Sequence, residues 1–187
     1  MRHTLPDTRP HPRLIIVGVG NPYRGDDGAG PLTAQLVRDQ AAPGTEVTDC
    51  VEPIGLLTLW EGAAAAWIVD AAGPPAALTG PEAAGTVHRT TLVGGEPFLE
   101  TGVASTHGLG IAHAIRIGQA LADLPPLVVI YTITVHQLSA TTWIHPQIAS
   151  AARTVARAIV AETLAYRPVR ASITADGPRA GGWADQL

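Results

Sequence analysis

Two adjacent aspartates, Asp26 and Asp27, stand in the segment GVGNPYRGDDGAG, and a third, Asp70, ends the apolar run of AAWIVDAAG. A histidine, His107, lies in STHGLG. Two aspartates and one histidine suit a borderline divalent ion such as nickel or zinc, held with open coordination positions. An ion so held polarises a carbonyl or lowers the pKa of a bound water. Each residue also has a plainer explanation. An aspartate ahead of a helix can cap it, but one cap accounts for only one of the pair. Asp70 can accept hydrogen bonds from a neighbouring loop, since a charge at the end of an apolar strand costs free energy unless it is paired, hydrogen-bonded or metal-bound. A lone histidine is commonly a satisfied structural group. The chemical reading rests on the convergence of the three.

Other chemistries fit less well. GVGNPY opens like a dinucleotide fingerprint, but Tyr23 occupies the third glycine position. A pyrophosphate also wants bare N–H groups at a helix start, and two carboxylates there would repel it. The single cysteine, Cys50, excludes an internal disulfide and fits a reducing compartment. At the end of a strand, with no histidine motif tied to it, it reads as core packing rather than a nucleophile. Of the remaining histidines, His3 and His11 lie in the first dozen residues and His88 is mid-strand. His113 is turned away from His107 on an ideal helix. His136 and His145 follow the last long strand and could approach the site.

The elements that must position these residues can be read from apolar periodicity. Leu14–Gly20 is a buried strand, followed by a loop to Asp27 and a helix from about Gly28 to Gln40. Glu46–Val51 is a second strand, Ile54–Trp60 a short helix, Ala65–Ala71 a third strand and Thr86–Leu92 a fourth. Thr106–Leu121 is helical, Leu127–Val135 is the clearest strand, and Pro146–Tyr166 is a long helix with proline at its first position. Continuous apolar strands alternating with helices predict an α/β fold: one domain with a twisted, mainly parallel five-stranded sheet and helices on both faces. In such a sheet ligands bind beyond the carboxyl ends of the strands. Gly20–Asp27, Asp70 and Ser105–Gly108 all fall at strand ends or at a helix start.

The chain has 187 residues, 46% of them apolar and 15% charged, which fits one domain with a sizeable core. Twelve basic against sixteen acidic residues, with no basic run, argue against nucleic acid as a partner. The proline-rich start lacks the apolar region of a signal peptide. No apolar stretch reaches the roughly 20 residues of a membrane span. The expectation is a flexible lead-in over 1–13, a catalytic domain over 14–166, and a loosely docked tail over 167–187, in a cytoplasmic monomer.

Taken together, VGVGNPYRGDDGAG (Val17–Gly30), TDCVEPIGLL (Thr48–Leu57), WIVDAAG (Trp67–Gly73) and STHGLGIAHAI (Ser105–Ile115) resemble the hydrogenase maturation peptidases, which process the large subunit of nickel–iron hydrogenases. The resemblance implies a phosphorylase/hydrolase-like α/β fold and an endopeptidase. Its activity would be to remove a C-terminal extension from the large-subunit precursor once nickel has been inserted. It further implies that Asp27, Asp70 and His107 are the metal-engaging, catalytic residues, that nickel arrives with the substrate, and that the free protein can be metal-free. Asp26 would support the first loop, and Asp26 and Asp49 would serve substrate recognition. The sequence departs from the family pattern after the last strand, where TVHQLSATTWIHPQIASAA replaces a loop with glycine and proline followed by Ser-Pro. That departure bears on specificity more than on chemistry. Two other readings use the same residues: a nickel-binding maturation chaperone without catalysis, and a small-molecule α/β hydrolase with Asp70 as base. The latter would need an anion clamp, for which Arg24 is the candidate in the first loop.

Overall fold

A computed structural model describes residues 12–42, 44–73, 84–94, 106–135 and 143–167, with only the backbone of 106–109. Five strands form one sheet: β1 (Leu14–Val19), β2 (Thr45–Cys50), β3 (Ala65–Ala72), β4 (Val87–Val93) and β5 (Leu127–Thr134). Their spatial order is β2-β1-β3-β5-β4. All neighbouring pairs are parallel except β4 with β5. The α-helices are α1 (Ala29–Arg38), α2 (Leu56–Leu59), α3 (Thr106–Ala120) and α4 (Pro146–Ala165). Single 3-10 turns, Gly25–Gly28 and Pro53–Gly55, lead into α1 and α2. The α/β class and five-stranded, mainly parallel sheet are those expected from the sequence.

The central strands β1 and β3 are buried along their whole length, which is why they read as unbroken apolar runs rather than alternating ones. Side chains still alternate between the two faces of the sheet. Ile16, Trp67, Val69, Tyr131 and Ile133 pack with Val37 of α1 and Ile148, Val155 and Ile159 of α4. Ile15, Val17, Ile68, Val128 and Ile130 pack with Leu56, Ile111 and Ile115 on the α2/α3 side. That parity assigns every polar strand residue to a face.

Three features differ from the sequence reading. Asp26 and Asp27 do not precede α1 as open loop; they lie inside the 3-10 turn that enters it. The antiparallel direction of β4 also reverses the place of its residues, so its first positions lie at the carboxyl edge of the parallel strands. Arg13, the last residue of the expected lead-in, belongs to the folded unit: its guanidinium donates to Glu46 and to the carbonyls of Leu59 and Glu61. Residues 1–11 and 168–187 are outside the described residues.

One polar knot joins α4 to the sheet. The Glu162 carboxylate accepts from Trp67 Nε1 (2.7 Å), the Tyr131 hydroxyl (2.7 Å) and Arg89 Nε (2.9 Å). Burial alone would raise the Glu162 pKa, but hydrogen bonds from Arg89, Trp67 and Tyr131 outweigh it and hold the group below its ordinary value. A depressed carboxyl contributes stability that is full above the unfolded-state value and is lost as pH falls through the lowered folded value. Glu162→Ala should therefore cost about 1–3 kcal/mol, because it strands buried donors. In denaturant titrations run from neutral into acid, Glu162→Gln should lose less stability than wild type below about pH 4.3, the ordinary glutamate value. Parallel acid-side curves for the two proteins would contradict this assignment.

Candidate active site

The first loop is built by close backbone approach. A Cβ on Gly30 would fall inside van der Waals contact of the Val19 and Val69 carbonyl oxygens, so only glycine lets α1 begin against the carboxyl ends of β1 and β3. Gly20 has φ +129°, a backbone region natural to glycine, and a Cβ there would strike the Asp27 carbonyl. The turn between them is folded under, so that Gly25, Asp26, Asp27 and Gly28 are all buried, and it packs on β3.

Within that turn the two aspartates have different anchors. Asp27 is 2% exposed, and its Oδ2 accepts the Asn21 N–H at 3.0 Å. Asn21 in turn accepts the Tyr23 N–H at 2.9 Å, which closes the loop on itself. Asp26 is 8% exposed, and its Oδ1 accepts the backbone N–H of His145, 119 residues away, at 2.7 Å. Neither side chain caps the 3-10 turn or α1, so helix capping explains neither aspartate.

Asp70 is 2% exposed and lies in β3, just past the last residue of that strand paired with β1, Val69 opposite Gly18. On its other side it is in register with Thr132 of β5. By strand parity it projects from the same face as Ala66 and Ile68, the α2/α3 face. His107 belongs to the first turn of α3, which packs on that face against β3. The side chain of His107 is outside the described residues. Among the described residues no group of three His, Cys, Asp or Glu lies together as a metal site. The structure thus brings the turn bearing Asp27, the strand end bearing Asp70 and the helix bearing His107 to one edge of the sheet.

The other sequence candidates are engaged elsewhere or face differently. Asp49 lies inside β2, opposite Gly18, and its exposed side chain is 3.8 Å from Arg38 of α1. Val47, of the same parity, packs on the α1/α4 face, so Asp49 projects away from the face of Asp70. Cys50 is buried on the α2/α3 side, and its Sγ donates to the Glu52 carbonyl at 2.9 Å. Burial pushes its pKa up, which disfavours the thiolate and agrees with a packing role. His145 caps α4, its Nδ1 accepting from the Gln147 N–H at 3.3 Å. His113 is exposed on α3, and His136 lies outside the described residues.

His88 is a residue that the sequence reading set aside. It is the second residue of β4, and because β4 runs antiparallel it stands at the carboxyl edge, in register with Thr132. The signal that could have found it was the direction of β4, which local alternation does not carry.

The chain matches no protein-family model and no curated protein. Its fold is shared with several solved structures. The hydrogenase maturating endopeptidase HybD from E. coli superposes with a TM-score of 0.64 at 15% identity, covering 82% of this chain and 93% of that one. The [NiFe] hydrogenase maturation protease HybD from Thermococcus kodakarensis gives 0.61 at 20% identity, over 82% and 99% of the two chains. The endopeptidase HycI from Escherichia coli gives 0.57 at 22% identity, over 80% and 90%. At these identities the likeness establishes a common fold.

The Asp26 contact makes a separable prediction. Asp26→Ala leaves the His145 N–H without its acceptor and should lower unfolding free energy by about 1–3 kcal/mol in urea titrations. Asp26→Asn, which retains Oδ1 as an acceptor, should recover most of that loss. Equal stabilities for all three proteins would show that the contact contributes nothing.

Proposed function

We propose that this chain is an endopeptidase that removes the C-terminal extension of a nickel–iron hydrogenase large-subunit precursor after nickel insertion. The observation that carries the reading is the convergence of buried Asp27 and Asp70 at one sheet edge, in a fold shared with proteins named as hydrogenase maturation endopeptidases. The family resemblance of the four sequence segments supports it independently. No helix among the described residues is long and apolar enough to cross a membrane. The working setting is the cytoplasm, with the precursor as partner and the enzyme as a monomer.

In this reading nickel is part of the substrate. Asp27, Asp70 and His107 would complete the coordination of the precursor's nickel and so fix the scissile peptide relative to the site. Holding the bond in register removes the entropy of bringing it there. The burial of both carboxylates helps, because charge–charge attraction is stronger where water is excluded. A carboxylate at this edge is also placed to accept a proton from an attacking water. The anchors of Asp27 and Asp26, on Asn21 and His145, hold the turn in place before substrate arrives.

Incubation with a nickel-loaded precursor tests the reading by mass spectrometry of the precursor. Wild type should shorten the precursor at its C-terminus, and only when nickel is present. Asp27→Ala, Asp70→Ala and His107→Ala should each leave it full length or slow the cut by about 100-fold or more. A precursor bound but never cut by wild type would instead identify a nickel-dependent chaperone. Normal cutting by all three variants would remove these residues from the site.

A further inference from the structure

His88 and Thr134 stand out among the buried polar groups. His88 Nε2 and Thr134 Oγ1 are shielded from solvent, and neither has a hydrogen-bond partner among the described residues. Buried polar atoms are almost always satisfied, so each of these atoms calls for a partner. Their position is informative. Asp70, Thr132 and His88 form one cross-strand row over β3, β5 and β4. Thr134 lies two pairs further toward the carboxyl edge, opposite Ala72.

All of these side chains share a face. On β5 the α2/α3 face takes Val128 and Ile130, and hence Thr132 and Thr134. On β4 it takes Leu92, and hence His88. On β3 it takes Ile68, and hence Asp70. With strands about 4.8 Å apart, Asp70 and His88 are about 10 Å apart at their Cα atoms. That is too far for a direct bond between upright side chains, and the residue between them is a small threonine. A buried water characteristically makes about three hydrogen bonds to otherwise unsatisfied groups.

We propose that His88 and Thr134 hold a buried water that hydrogen-bonds Asp70 and fixes the orientation of its carboxylate. The two are positioning residues, acting on the substrate only through Asp70. The water donates to the Asp70 carboxylate, and the imidazole and the hydroxyl supply its remaining partners. Shielding of both atoms from solvent is what such a role requires, since the bridge works only if bulk water does not compete. The inference rests on the reading of Asp70 as a site residue given above.

Two measurements test it, one of them independent of activity. A high-resolution crystal structure of the wild-type chain should show ordered density within hydrogen-bond distance of both His88 Nε2 and Thr134 Oγ1. Density absent there, or direct protein partners for both atoms, overturns the inference whatever the chain does to a precursor. In the precursor assay, His88→Phe and Thr134→Val should lower kcat by about 10–100-fold with KM nearly unchanged, the range found when outer partners of site ligands are removed. His88→Gln and Thr134→Ser, which keep a hydrogen-bonding group at similar reach, should restore much of it. Unchanged kcat in folded Phe and Val variants overturns the positioning role while the peptidase reading stands. If wild type cuts no precursor, the proposed function fails and the positioning role fails with it. The crystal density then decides whether the water itself is present.

Discussion

The structure depends on a close approach that only glycine permits. Gly30 sits where a side chain would collide with the carbonyls of Val19 and Val69, so the start of α1 is seated on the carboxyl ends of two adjacent central strands. That seating folds the Gly25–Gly28 turn under α1 and buries both of its aspartates. Without it, Asp26 and Asp27 would sit in open loop, solvated and mobile. Their position relative to Asp70 would then not be fixed.

The neighbouring aspartates divide the work of holding this edge. Asp27 is tied within its own loop through Asn21, so its geometry is set locally. Asp26 is tied to the entry of α4 through His145, so the same turn also fixes the helix that covers the α1 face. At the far side of that helix, Glu162 gathers Trp67, Tyr131 and Arg89. Helix α4 is thus pinned at both ends by carboxylates, one at the carboxyl edge of the sheet and one near its last turn. Apart from these anchors, the buried polar side chains of α1 and α4 are Thr33 and Thr163.

The two faces of the sheet have separate tasks. The α1/α4 face carries the larger apolar cluster and the Glu162 knot, and its polar edge residue, Asp49, is engaged with Arg38. The α2/α3 face carries Asp70, Thr132, Thr134 and His88 in adjoining rows, beneath the helix that begins with Thr106 and His107. On β3 and β5 polar residues occur in that face only near the carboxyl edge. Further down the same strands the positions are Ala66, Ile68, Val128 and Ile130.

Local pattern was sufficient for much of this. Unbroken apolar runs at Leu14 and Ala65 mark central strands, because a strand buried on both faces has no polar side to show. Helical periodicity and the proline at Pro146 placed α4 within a residue of its observed span. Asp70 was legible as a candidate site residue because a carboxylate at the end of such a strand is costly without a purpose. Other features were decided only by tertiary structure. Asp26 and His145 are 119 residues apart, and no local signal links a turn aspartate to a distant backbone N–H. The period of two tells which strand residues share a face but not which helices cover it, so Asp49 and Asp70 could not be assigned to opposite sides from spacing alone. The direction of β4 is likewise silent in its own residues, since parallel and antiparallel strands share the same alternation. Only pairing with β5 reverses β4 and brings His88 from the middle of a reading frame to the edge where Asp70 stands.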